Sequence, residues 1–162
     1  MDPDIASARH AADDARVLAF GWLQGAAHRL GYLLGRALER ECGITQLMYE
    51  VLLIVGRTGE DGLTMRSIAQ EQVLTTGGAT RLVDRMVAIG LVTRTASPSD
   101  RRVQLVRLTT LGEETTVRAS RVHVENVEQF FFGPLPEDHR ERFADDLRTL
   151  SHFARDALPR LR

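Results

Sequence analysis

Two short runs carry residue types that do chemistry together. In the first, Thr76, Gly77, Thr80, Arg81 and Arg85 recur at helical spacing; in the second, Asp100, Arg101 and Arg102 are consecutive. On a wheel of about 100° per residue, Ala79, Leu82, Val83, Met86 and Ile89 share one side of 76–89. The hydroxyls and guanidinium groups take the other side with Asp84 and Ala88, and Val87 is the apolar exception. Hydroxyls and bare backbone N–H groups at a helix start meet phosphates or base edges, and arginine spans O6 and N7 of guanine. Small residues stand near that start. An arginine on a protruding tip suits the electronegative minor groove, and a neighbouring carboxylate can hold its guanidinium in one orientation. Both runs therefore point to double-stranded DNA.

The charge distribution agrees with that chemistry. The 162 residues include 21 basic and 22 acidic side chains, and every basic one is arginine. Without lysine there is no phosphate-loop lysine, Schiff base or lysine general base, so those enzyme classes drop out. No Gly-x-Ser-x-Gly or His-Glu-x-x-His run appears either. The net charge of −1 hides an asymmetry, because residues 57–107 carry 8 arginines against 5 acids while both flanks are acidic. From Thr75 to Arg107 there are 6 arginines against Asp84 and Asp100. A local basic patch in a neutral chain is the footprint of a phosphate-binding surface.

Cys42 is a single cysteine, and the start Met1-Asp2-Pro3-Asp4-Ile5 is acidic where a secretory signal would be basic, so the sequence reads as cytoplasmic. Phe20 to Leu34 is interrupted by Gln24, His28 and Arg29 and falls short of the ~18 apolar residues a membrane span needs. His10, His28, His123, His139 and His152 are scattered with no metal-ligand spacing, and neither a metal nor another cofactor is expected. Arg40 would favour a thiolate at Cys42 and Glu41 would oppose it, which leaves the role of the cysteine open.

The elements that must position these runs follow from the apolar period. Residues from about Ala12 to Glu41 repeat apolar positions as one helix, a rod of roughly 45 Å. Gly21 with Gly25, and Gly31 with Gly35, stand four apart on it as places where another helix could approach. Gly43 ends that helix, and Thr45 caps a second over Gln46–Gly56. A Gly59–Gly62 turn follows, then a short helix Met65–Gln72 capped by Thr64, and a further helix Thr76–Ile89 stopped by Gly90. The period then changes to strand: Leu91–Thr95 and Val103–Leu108, joined by a polar, basic turn, form a hairpin. A long helix starts at Thr109 or Thr110 and reaches about Phe132. Gly133-Pro134 breaks it, and Pro136 opens a last helix to about Ala157. The expected fold is mainly α with a small β-hairpin wing (α+β), a winged helix-turn-helix plus a helical dimerisation region.

The motifs in this order resemble one family. Ile68-Ala69, the run from Thr76 to Met86, Gly90-Leu91-Val92-Thr93-Arg94, Ser97-Pro98-Ser99-Asp100-Arg101-Arg102 and Leu108-Thr109-Thr110-Leu111-Gly112 are similar to the multiple-antibiotic-resistance regulator (MarR) family over about Gly43 to Gly112. The resemblance implies a homodimer with a winged helix-turn-helix in each subunit, normally a transcriptional repressor released by a small ligand or oxidant. It implies a dimerisation helix over 1–44, the DNA-binding domain over 45–109 and dimerisation helices over 110–162. By the resemblance the helix from Thr76 is the recognition helix, capped by Thr75 or Thr76, and Thr75, Thr76, Gly77, Gly78, Thr80, Arg81 and Arg85 would face DNA from it. Arg102 would enter the minor groove steadied by Asp100, and Arg101 would hold phosphate or structure the wing. The two-fold symmetry of a dimer makes the expected operator a pseudo-palindrome with half-sites roughly 34–36 Å apart.

The family's effector pocket lies between the dimer helices and the winged domain. Trp22, His28, Tyr32, Met48 and Tyr49 are the candidates here to enclose an aromatic or phenolic compound. The competing readings are a winged-helix module that binds protein, for which the basic patch would be surplus, and a metal- or redox-responsive regulator.

Overall fold

The computed structural model describes residues 5–158. Met1–Asp4, most of the acidic start, lie outside the described residues. Helix α1 (Ala8–Asp13) is followed directly by α2 (Ala15–Cys42), α3 (Gln46–Thr58), β1 (Leu63–Thr64), α4 (Met65–Glu71), α5 (Thr76–Ala88), β2 (Val92–Ala96), β3 (Gln104–Leu108), α6 (Thr110–Val127) and α7 (Glu137–Ala157). Glu128–Phe132 continue α6 as a wider π-type turn. Among the described residues, no helix is long and apolar enough to cross a membrane.

The amino-terminal rod is not a single piece. Asp14 leaves the helical region at ψ 125° and its carboxylate accepts from the Arg16 amide at 2.8 Å, ending α1 and capping α2. A side chain that competes for the backbone in this way favours a break over helix interior. Threonines start four further helices by the same chemistry. Thr45 accepts from Met48, Thr64 from Ser67, Thr75 from Gly78 and Thr109 from Gly112, so Thr75 and Thr109 are the caps where two candidates stood. Replacing such a cap by alanine costs about 1 kcal/mol. Gly43, at φ 69°, ends α2 in the left-handed region.

Several boundaries depart from the sequence reading. The helix expected to stop at Gly56 runs on to Thr58, and Pro136 caps α7 rather than opening it. Ile89 was expected in the core stripe of α5. Instead it follows the last helical turn and is 49% exposed, because the chain turns away toward β2 before its side chain can reach the interior. The expected hairpin is a three-stranded antiparallel sheet ordered β1-β3-β2, with Leu63 opposite Val106 and Arg94 also opposite Val106 on the other side. A two-residue strand is too short to show alternation, so β1 left no signal in the sequence.

One core gathers the middle of the chain. Val51, Leu52 and Val55 of α3, Ile68 of α4, Leu82, Val83 and Met86 of α5, and Val92 and Val106 of the sheet are fully or almost fully buried together. Each large side chain contributes about 1.5–3 kcal/mol by leaving water. The terminal helices are different: α1 and α7 bury nothing, and α2 buries only Leu34, Gly35, Ala37 and Leu38 near its end. Gly35 alone of the four spaced glycines meets another helix, at Gln46 of α3, while a side chain at Gly21 or Gly31 would point into open space.

Candidate nucleic-acid interface

Burial of Ala79, Leu82, Val83 and Met86 fixes the rotation of α5 and leaves Thr76, Gly77, Arg81 and Arg85 exposed on the opposite face. Among the described residues Arg81 and Arg85 form no salt bridge, so both guanidinium groups are available to a ligand. Thr80 is half-buried and its hydroxyl donates to the Thr76 carbonyl at 2.9 Å, which leaves only its lone pairs for an outside donor. Gly78 is enclosed by its contact with the Thr75 cap.

The wing is a tight turn built by its own polar groups. The Ser97 amide donates to the Val103 carbonyl at 2.8 Å and the Val103 amide to the Asp100 carbonyl at 2.9 Å. Asp100 then accepts from the Arg102 backbone amide at 3.0 Å and from its Nε at 3.2 Å, while the Arg102 side chain stays 92% exposed. The Arg102 amide, followed by its guanidinium, holds the Asp100 carboxyl below its ordinary range. The sequence pairing of a carboxylate with a presented guanidinium is thus met in geometry. Arg101 beside it is exposed and without an ion pair among the described residues.

Between α4, the start of α5 and β3 lies an open trough of about 800 Å³. Thr76 and Arg102 both line it, so the helix start and the wing tip border a single concavity. Arg66, Gln70 and Gln104 line it too, and none was singled out in the sequence. Their signal was weak, since only the fold brings one turn of α4 beside β3. Two arginines of the basic patch are withdrawn from this face. Arg94 donates to Asp84 at 2.6 Å, and Arg107 donates to the Glu60 carbonyl and the Thr95 hydroxyl, both at 2.6 Å.

The candidate effector residues are not brought together within one chain. Trp22 is 70% and Tyr32 67% exposed, and His28 is exposed as well; the residues that α2 buries begin only at Leu34. Met48 and Tyr49 lie in the core instead, since α3 turns them inward. The Tyr49 hydroxyl donates to Ser120 of α6 at 3.1 Å and its ring rests on His123 at 4.9 Å. Burial pushes the His123 imidazole below its usual value, partly opposed by the charge of Glu50. Cys42 is half-buried against the core. Among the described residues no three His, Cys, Asp or Glu side chains gather as metal ligands.

Comparison with known proteins adds independent findings. Residues 43–103 match the model of the MarR family. No curated protein matches the chain by sequence. Sco3205, a MarR family transcriptional regulator from Streptomyces coelicolor solved in complex with DNA, is 28% identical over 83% of this chain and 84% of its own, with a TM-score of 0.75. CouR from Rhodococcus jostii RHA1, bound to p-coumaroyl-CoA, is 25% identical over 86% of this chain and 92% of its own, with a TM-score of 0.69. AbsC from Streptomyces coelicolor shares the fold at 23% identity, covering 88% of this chain and 96% of its own at a TM-score of 0.75. Sco3205 and AbsC are both MarR family transcriptional regulators. Family-model match, fold and motif order agree: over residues 43–103 the chain is similar to the MarR family, and it shares the fold of solved MarR family transcriptional regulators.

Proposed function

We propose that two copies of this chain bind one pseudo-palindromic operator as a repressor that a small molecule releases. The observation that carries the reading is the shared trough, where Thr76 at the head of α5 and Arg102 on the wing face the same space. A duplex presents a wide and a narrow groove on either side of one backbone strand. Helix α5 with Thr75, Thr76, Gly77, Gly78, Thr80, Arg81 and Arg85 enters the wide groove. Asp100 and Arg102 approach the narrow one, and Arg101 meets phosphate. The complex of Sco3205 with DNA supports the partner by similarity.

Dimer formation is supported by apolar surface that one chain leaves bare. Val17, Phe20, Trp22 and Leu33 on α2, and Phe143, Leu150 and Phe153 on α7, are each more than a third exposed. Apolar patches on this scale mark association surfaces. Residues 1–44 and 110–162 are accordingly the dimerisation segments around the DNA-binding domain 45–109. Trp22, His28 and Tyr32 would be enclosed only once that surface is covered, with Met48 and Tyr49 behind them. An aromatic or phenolic effector there is in keeping with the p-coumaroyl-CoA bound to CouR.

The test is retention of genomic fragments by the purified protein, sequencing of those retained, and a gel-shift titration at several salt concentrations followed by compounds that release the DNA. Several phosphate contacts give a steep fall of affinity with salt. Binding that is indifferent to salt and to sequence would remove the reading.

A further inference from the structure

We propose that Asp84 and Arg94 form a latch that sets the spacing of the recognition helix α5 from the wing and keeps the one carboxylate of that helix away from DNA. The inference rests on the function proposed above. Asp84 sits on the DNA-facing side of α5 between Arg81 and Arg85, where a bare carboxylate would repel phosphate. Arg94 of β2 reaches it instead, with Nη2 2.6 Å from Oδ1. The Arg94 side chain is 27% exposed against 56% for Asp84, and its Nε is buried without a partner. A guanidinium held in that position at the loss of one hydrogen bond is there for its remaining partner.

The same strand ties the wing on its other face. Successive side chains of β2 point to opposite faces. Thr95, next to Arg94, accepts from Arg107, which also donates to the carbonyls of Glu60 and Asp61. The wing is therefore fastened to α5 by Arg94 and to the turn before β1 by Arg107. Freed from Arg94, Asp84 would turn to Arg81, three residues back on the same helix and within reach. The latch thus keeps Arg81 and Arg85 available. Arg94, although counted in the basic patch, acts as a positioning residue and touches no phosphate.

The experiment compares Arg94→Ala, Asp84→Ala and the double variant with the wild type, each first checked for unchanged melting. Operator and random duplex are titrated over a range of salt. In the double variant the salt slope should equal that of the wild type, while preference for operator over random DNA falls roughly five- to tenfold. In Arg94→Ala alone the slope should drop by about one, as the uncovered Asp84 recruits an arginine. A slope lowered by about one in the double variant makes Arg94 a phosphate contact and overturns the proposal, as does unchanged preference for operator. Amide hydrogen exchange without DNA reads the tether by itself. Val92–Ala96 should exchange about tenfold faster in Arg94→Ala, and unchanged exchange there also overturns it. A wild type that does not distinguish operator from random DNA, with the exchange result as expected, removes the functional reading and leaves the tether standing.

Discussion

The Leu91 carbonyl occupies the space that a side chain on Gly112 would need. A Cβ built at Gly112 overlaps that oxygen, because Thr109 ties the start of α6 to the turn after α5. The Thr109 hydroxyl lies 2.6 Å from the Gly90 carbonyl and 2.9 Å from the Gly112 amide, and the Thr109 amide donates to Leu91 at 3.1 Å. The Gly-Leu-Val and Leu-Thr-x-x-Gly motifs are thus two halves of one joint between the winged domain and the long helix α6. Gly112→Ala should cost about 3 kcal/mol, the upper part of the range for overpacking. Urea unfolding would measure it, and a loss under about 0.5 kcal/mol, no more than an ordinary surface substitution, would show that the joint has room to relax.

Val73 offers the opposite case. It sits at φ 51° in the turn between α4 and α5 and is 57% exposed. A β-branched residue in the left-handed region is strained, and little burial is lost by removing it. Val73→Gly should therefore raise stability by about 1 kcal/mol, seen as a higher denaturant midpoint; a lower midpoint would mean the side chain makes contacts that outweigh the strain.

The wing and the recognition helix separate by their response to sequence. Arg102→Ala should weaken operator binding without changing the mass of the free protein in light scattering, and an unaltered gel-shift titration would exclude a minor-groove role. Arg81→Ala should cost roughly 1–3 kcal/mol on operator if the side chain reads a base. Equal losses on operator and random DNA would make it a phosphate contact.

His123 sets a pH dependence of stability. Its folded value is lowered by burial, so the unfolded chain binds the proton more readily. The stabilisation is fully present above the unfolded value, about 6.5, and is lost as pH falls through the folded one. Melting temperature should drop between neutral and mildly acidic pH in the wild type and drop less in His123→Gln. Parallel curves for the two proteins would mean that another group titrates.

The order of elements was legible because their signals are local. Threonine caps, terminating glycines and the apolar face of α5 each depend on a few neighbouring residues: Thr45 and Thr64 cap as their spacing implies, and at the other two starts one of two adjacent threonines, Thr75 and Thr109, does so. Asp100 beside Arg102 was readable for the same reason. What escaped depends on tertiary placement. β1 pairs with a strand about forty residues away, Arg66 and Gln104 meet only across the trough, and Arg94 and Arg107 look like any other basic residues until their partners are known. Trp22 and Tyr49 are both aromatic near helix faces, and nothing local tells that one faces out and the other in.

Sedimentation of the purified chain with a labelled duplex bearing its selected sequence, at roughly 50 and 200 mM salt, tests the paired grip on DNA most directly. Expected is a complex of two chains per duplex that largely dissociates at the higher salt. One chain per duplex, or a complex unmoved by salt, would contradict it.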